Sequence, residues 1–190
     1  MPLSNRRFLL SPARLDGVRG RWLRSPGSRS LTAQRLRAAD LPIGEAFAFI
    51  SGLYFRGKLA YARRFAPEAG EALVIAPGFG LVELDWRLDP ARIARMHTVG
   101  VDLSRRAYRE PLARAAAALE AERVVFLGSL ATGKYLDILA PLLGERLVYP
   151  RAFVGTGDMR RGSLLLRAAQ AGEELEYAAL GSLPPRRSAR

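Results

Sequence analysis

Apolar residues along the chain gather into short continuous runs separated by longer stretches of helical spacing. Val124–Leu127 reads as a strand buried on both faces, because its apolar character is unbroken rather than alternating, and Leu73–Ala76 as a second buried strand; Phe8–Leu10 is a short apolar strand candidate and Arg146–Tyr149 a further strand. Each run ends at a breaker: Ser11-Pro12, Pro77 to Gly80, Gly128 and Pro150. Thr98–Val101 reads as a further short strand, and Leu175–Tyr177 as an edge strand. Between them lie predicted helices over Leu31–Ala39 (N-cap Ser30 or Thr32), Leu103–Leu119 with a restart at Pro111, Gly133–Leu143, and Leu164–Ala171 capped by Ser163. Phe47, Ile50, Tyr54, Tyr61 and Phe65 also keep helical spacing, but Gly52 and Gly57 interrupt them at about 1 kcal/mol each relative to alanine. A helix starting at Ser51, with Ser51 as N-cap, is preferred to one continuous helix in close backbone packing. Residues 16–30 read as a Gly-, Arg- and Ser-rich loop, on the surface or facing a ligand, and 81–90 as an irregular acidic segment.

Strands alternating with helices predict an α/β domain over residues 1–181, with a mostly parallel sheet of four or five strands in a Rossmann-like three-layer arrangement. Residues 182–190 read as a disordered basic tail. In such sheets ligands collect at the carboxyl ends of strands, near the point where strand order reverses. Three of the four loops leaving the strands are glycine-rich.

The sharpest of these loops is Gly128-Ser-Leu-Ala-Thr-Gly-Lys134, which matches G-x-x-x-x-G-K between a strand and a helix. Gly128, Ser129, Thr132, Gly133 and Lys134 are its candidate anion-binding residues, through backbone amides, a helix N-terminus and the Lys134 ammonium. Tyr135 stands where a magnesium-binding Ser or Thr belongs, and no acidic Walker-B strand follows, so an NTPase of this kind would be degenerate. Gly155-Thr-Gly-Asp-Met-Arg-Arg161 reads as a second charged loop, in which Asp158 serves as a base or ribose-hydroxyl acceptor and Arg160 or Arg161 clamps phosphate. Asp158 and Lys134 are the candidate catalytic pair. Pro77, Gly78 and Gly80 are expected to shape the pocket wall, with Ser11 on the first loop. Glu83 and Asp85 form a carboxylate pair suited to acid–base work, to magnesium or simply to solvent, and Arg56 and Lys58 either face the crevice or form a wet helix face. His97 has no Ser or Asp partner at motif spacing.

Composition narrows these classes. There is no cysteine and one histidine, which excludes disulfides, thiol nucleophiles and His- or Cys-rich zinc sites. The net charge of +12 is concentrated at the ends: +7 in residues 1–40, +3 in 182–190 and +2 between. That distribution fits solvated surface charge, a GC-rich codon bias, or an arginine footprint for nucleic acid. Arg6-Arg7 hints at a twin-arginine signal, but the apolar run after it stops at Leu10, short of the roughly 7–15 residues a signal requires. No run approaches the roughly 20 apolar residues of a membrane span. A cytoplasmic protein with no membrane partner is expected. Nothing in the sequence names a cofactor.

At Ser51-Gly-Leu-Tyr-Phe-Arg-Gly-Lys-Leu-Ala-Tyr-Ala62, Val74-Ile-Ala-Pro-Gly-Phe-Gly-Leu81 and Val125-Phe-Leu-Gly-Ser129, the chain resembles a group of bacterial and phage α/β proteins of no established activity. That resemblance implies an α/β fold alone. Ala76-Pro77-Gly78 is faintly similar to the base-pocket turn of uracil-DNA-glycosylase-like domains, although their late histidine has no counterpart after His97. It implies a tilt toward nucleotides or nucleic acid. The expectation is therefore a protein that binds a nucleotide-like or phosphorylated ligand at the strand ends and, as an enzyme, a hydrolase or glycosidase acting on nucleotides or nucleic acid. The alternatives are a non-catalytic nucleic-acid-binding module using the Arg-rich N-terminal third, and the degenerate P-loop NTPase.

Overall fold

The computed structural model describes residues 5–66, 68 and 70–182. Of the expected basic tail over 182–190, residues 183–190 lie outside the described residues, as do residues 1–4. Four parallel strands form the centre of a six-stranded sheet: β1 (Arg6–Leu10), β3 (Ala72–Ala76), β6 (Arg123–Leu127) and β7 (Leu147–Pro150). Antiparallel strands β4 (Gly80–Glu83) and β8 (Tyr177–Ala179) close its edges, giving the order β4-β3-β1-β6-β7-β8. A separate two-stranded ribbon pairs β2 (Leu41–Pro42) with β5 (Arg87–Leu88). The central strands read as continuous apolar runs because helices cover both faces, which makes the fold a three-layer α/β domain.

Among the described residues, eight α-helices surround the sheet. They are α1 (Val18–Arg24), α2 (Leu31–Arg37), α3 (Ile43–Ser51), α4 (Leu53–Phe65), α5 (Pro90–Val99), α6 (Arg106–Ala117), α7 (Gly133–Leu143) and α8 (Asp158–Ala171). Helix α4 packs on α8, and α6 packs on α7. The α4–α8 contact is unusually close because glycine faces backbone on both sides. A Cβ on Gly57 would lie 2.5 Å from the Gly162 carbonyl oxygen, and one on Gly162 would lie 2.8 Å from Tyr54 Cα.

Several local expectations need correction. Ser51 is the last residue of α3, not an N-cap; Gly52, at φ 63°, breaks the chain there, and α4 starts at Leu53. Both readings of that segment are thus partly realised: a break at Gly52 and close packing at Gly57. Residues 18–24 are helical, with Gly20 and Leu23 buried. Thr98 and Val99 end α5, since Ile93, Met96 and Val99 recur on one buried face until Gly100 stops the helix at φ 63°. The acidic segment holds β4 and β5, and Asp89 caps α5 by accepting from the Arg92 amide at 2.7 Å. Pro111 lies inside α6 without ending it. Asp158, Arg160 and Arg161 stand in the first turn of α8 rather than on a loop.

Candidate functional site

Strand order reverses at β1. The chain leaves β1 toward β3 on one side and returns to β6 on the other, so a crevice opens over the carboxyl ends of β1 and β6. The Ser11 amide donates to the Leu127 carbonyl at 3.2 Å, which fixes Ser11 as the last rung between the two strands. Above it lies a cleft of about 560 Å3 lined by Ser11, Ser51, Tyr54, Ser129, Lys134 and Asp158, with Thr132 and Tyr135 beside them. A second lobe of about 340 Å3 shares Pro12 to Asp16, Lys134 and Tyr135, and adds Pro77 and His97. These volumes are of the size that small-molecule ligands occupy, about 300–1,000 Å3.

Two helices start at this cleft. Neither the N-cap of α7, Thr132, nor that of α8, Gly157, supplies a side-chain hydrogen bond to the helix start. The first residues of both helices, Thr132 and Lys134 for α7 and Asp158 for α8, line the same cleft, so their partial positive ends border a common space. Lys134 is positioned by α6, whose Tyr108 hydroxyl donates to the Lys134 carbonyl at 2.8 Å. Tyr135 turns inward, its ring 5.6 Å from that of Phe126. Burial pushes its hydroxyl up to about 12, the Asp158 carboxylate adds to that, and interaction with the Ser11 hydroxyl opposes it.

Beneath the cleft is a buried polar layer. Lys58, on α4, is 1% exposed and donates from Nζ to both the Ser11 carbonyl and the Ser11 Oγ, each at 2.8 Å. Its ammonium lies 4.2 Å from the centre of the Tyr54 ring and 5.0 Å from that of Phe55. Burial without a carboxylate partner drives Lys58 down to about 7; Asp158 opposes the shift and Arg161 reinforces it. Tyr54 is 8% exposed, and its hydroxyl has no hydrogen-bond partner among the described residues. Burial pushes its pKa well above the ordinary phenol range, and the nearby Arg161 guanidinium opposes this. Arg161 is itself buried, bonded to Asp158 at 3.3 Å and to the Phe153 carbonyl at 3.5 Å, with its Nε unpartnered.

Of the residues expected to form the site, Ser11, Ser129, Thr132, Lys134 and Asp158 line the principal cleft, and Pro77 lines its second lobe. Arg161 lies in the floor. Arg160 is exposed on α8. Gly128 and Gly133 flank the cleft for packing reasons: a Cβ on Gly128 would lie 2.2 Å from the Phe126 ring, and one on Gly133 would lie 2.0 Å from the Asp137 carboxylate. Gly78 and Gly80, at φ 86° and 90°, form the β3–β4 hairpin and face helices instead of the cleft. Arg95 donates to the Gly78 carbonyl at 3.2 Å, and the Pro111 carbonyl lies against Gly80. The turn with the glycosylase-like sequence is therefore a hairpin backed by α5 and α6. Among the described residues, no group of three or more His, Asp or Glu side chains is arranged to hold a metal ion.

Sequence reasoning did not single out Tyr54, and it left Lys58 open between crevice and solvent. The missing signal was in the periodicity. On a helix of about 3.6 residues per turn, Lys58 projects between Tyr54 and Phe55, in the middle of an arc that also holds Gly57, Leu59, Tyr61 and Ala62, all buried. A lysine centred on an apolar arc is placed inward.

The N-terminal arginines are largely engaged within the fold. Arg6 bonds Glu174 and the Phe65 carbonyl, Arg14 bonds Asp16, and Arg35 bonds Glu45 and the Asp40 carbonyl. Arg7, Arg19, Arg21, Arg24 and Arg37 each donate to a backbone carbonyl. Comparison with family models, curated proteins and solved structures finds no match to this chain. Among the described residues no helix is long and apolar enough to cross a membrane.

Proposed function

We propose that the chain binds a small anionic ligand, of nucleotide or other phosphorylated type, in the cleft over β1 and β6. The observation that carries this reading is the meeting of two helix N-termini, α7 and α8, at one cavity with Lys134 on its rim. Backbone amides at two helix starts and a lysine ammonium are the groups that select a multiply charged oxyanion. The Tyr54 side chain walls the same cavity with its hydroxyl turned into the interior. Asp158 on the same wall suits a ribose or sugar hydroxyl. The nucleic-acid alternative has less support, because eight of the nine arginines of residues 1–40 are bonded to acceptors of the fold itself.

The test is a thermal-shift series with inorganic phosphate, adenosine monophosphate, adenosine triphosphate and ribose 5-phosphate. A ligand at a hundred times its Kd stabilises the fold by about 2.7 kcal/mol, or roughly 5–10 °C for a chain of this size. The expected result is a rise with at least one of the four that Lys134→Ala removes. No rise with any of them, or a rise that Lys134→Ala leaves intact, contradicts the reading.

A further inference from the structure

Lys58 is a cationic side chain placed where nothing neutralises it. Its amine reaches no cavity surface; between it and the cleft stands Ser11, whose hydroxyl it contacts at 2.8 Å. Ser129, Thr132 and Ser51 also line the cleft, but among the described residues only the Ser11 hydroxyl is bonded to a basic nitrogen. Two of the atoms around Nζ set the direction of proton flow. The Ser11 carbonyl can only accept, so it takes one N–H. In the neutral amine the lone pair is then left for the Ser11 O–H, and the hydroxyl becomes the donor.

We propose that Ser11 is a nucleophile and Lys58 its general base in acyl transfer from a carboxylic ester or thioester bound in the cleft, with water as the final acceptor. The proposal rests on reading the cleft as a ligand site, though not on the charge of the ligand. In the first step the Ser11 Oγ–carbonyl carbon bond forms while the Oγ proton passes to Lys58 Nζ. The bond from that carbon to the leaving oxygen or sulfur then breaks, and a cleft water relays the proton of the Lys58 ammonium to the departing alcohol or thiol. Water repeats the sequence on the acyl-serine. It gives a proton to Lys58 through the same water relay, releases the carboxylic acid, and Ser11 recovers its proton from the ammonium. The net reaction is ester plus water to acid plus alcohol, with no external oxidant or reductant. Negative charge developing on the carbonyl oxygen lies in a cavity bordered by the start of α7, where helix amides are favourably aligned.

Lys58 as a base requires its neutral form near neutrality. Burial favours that form, and the charged groups facing it are Asp158 and Arg161 from α8, which act in opposite directions. Tyr54 on its own helix and Tyr135 on α7 are held protonated by burial and add no charge. The nearest serine of the cleft and the nearest amine of the core thus form one unit. Schiff-base chemistry by Lys58 itself is disfavoured, because Ser11 separates the amine from the cavity.

The experiment uses the full chain with a fluorophosphonate probe and with 4-nitrophenyl acetate, read by intact mass and peptide mapping. One adduct is expected on Ser11, absent in Ser11→Ala, with a labelling rate that rises with pH and has its midpoint near 7. Lys58→Met is expected to slow labelling by about 100-fold or more, the usual contribution of a general base. Should Lys58→Met fail to fold, the pH profile of the wild-type protein decides. No adduct between about pH 6 and 9, an adduct that survives Ser11→Ala, or a rate independent of pH overturns the proposal. Both probes are neutral. Labelling of a protein that no phosphorylated compound stabilises therefore removes only the anion reading, and stabilisation without labelling removes only this one.

Discussion

Replacing Gly162 by alanine forces a methyl group into the backbone of a neighbouring helix. The new Cβ would lie 2.8 Å from Tyr54 Cα and 2.9 Å from the Leu53 carbonyl oxygen, where ordinary contact begins at 3.4 Å. The obstacle is α4 backbone, not the end of a flexible side chain, so α4 and α8 must part by roughly half an ångström in a close-packed interior. Overpacking of this kind costs about 1–3 kcal/mol, while alanine in a helix interior returns about 1 kcal/mol relative to glycine. The net loss is at most about 2 kcal/mol, or roughly 4–8 °C in Tm for a chain of this length. Gly57→Ala meets the same contact from the other side, at 2.5 Å from the Gly162 carbonyl oxygen. Once either methyl has separated the helices the second has less to displace, so the double variant should lose less than the sum of the singles. Urea midpoints of the four proteins measure this directly. Gly27, with nothing within 4 Å of its Cβ position, provides the control, expected within about 0.5 kcal/mol of wild type. A Gly162→Ala protein stabilised by the full helix gain of about 1 kcal/mol would refute the close contact. The interface matters to function because α4 carries Tyr54 and Lys58 while α8 carries Asp158 and Arg161.

The buried Lys58 makes stability depend on pH. Its folded value near 7 lies below the ordinary 10.5, so between these the unfolded chain binds the extra proton and stability rises with pH. The penalty is fully present below pH 7, and the rise should be read below about pH 10, because buried Tyr54, Tyr108 and Tyr135 act in the opposite sense above it. Lys58→Met should flatten that slope; an unchanged slope in a folded Lys58→Met protein would show the dependence to come from elsewhere. Tyr61→Phe removes the acceptor of the Leu175 amide, bonded at 2.8 Å, and the partner of the Tyr177 hydroxyl at 2.6 Å. A loss of about 1–3 kcal/mol in denaturant unfolding is expected, and no loss would argue that Leu175 finds another acceptor. Asp89→Ala should cost about 1 kcal/mol through the N-cap of α5, with Asp89→Asn recovering most of it.

The four central strands were legible because a strand covered on both faces must be apolar throughout, and Phe8–Leu10 and Val124–Leu127 have no other simple reading. Their ends, and hence the crevice with Ser11, Ser129, Thr132, Lys134 and Asp158, followed from the breakers after them. Two kinds of feature did not. Arginine- and glycine-rich segments such as Val18–Arg24 look like loops, since only Gly20 and Leu23 of that helix are buried and local composition outweighs so short a period. Glycines signalled close approach without naming the partner. In the G-x-x-x-x-G-K turn, Gly128 makes room for the Phe126 ring and Gly133 for the Asp137 carboxylate, neighbours that the spacing does not reveal. Lys58 was left open between crevice and solvent. Charge predicts exposure for a lone lysine, and only the arc formed by Tyr54, Phe55, Gly57 and Tyr61 overrides that prediction.

Amide hydrogen exchange, recorded with and without whichever of inorganic phosphate, adenosine monophosphate or ribose 5-phosphate raises the midpoint most, tests the cleft most directly. Protection is predicted to concentrate in three segments: residues 11–17, the start of α7 around 129–136, and the start of α8 around 156–161. Protection confined to α1 and α2, with their arginines, and absent from those three segments would place the ligand elsewhere and contradict a site at the β1–β6 strand ends.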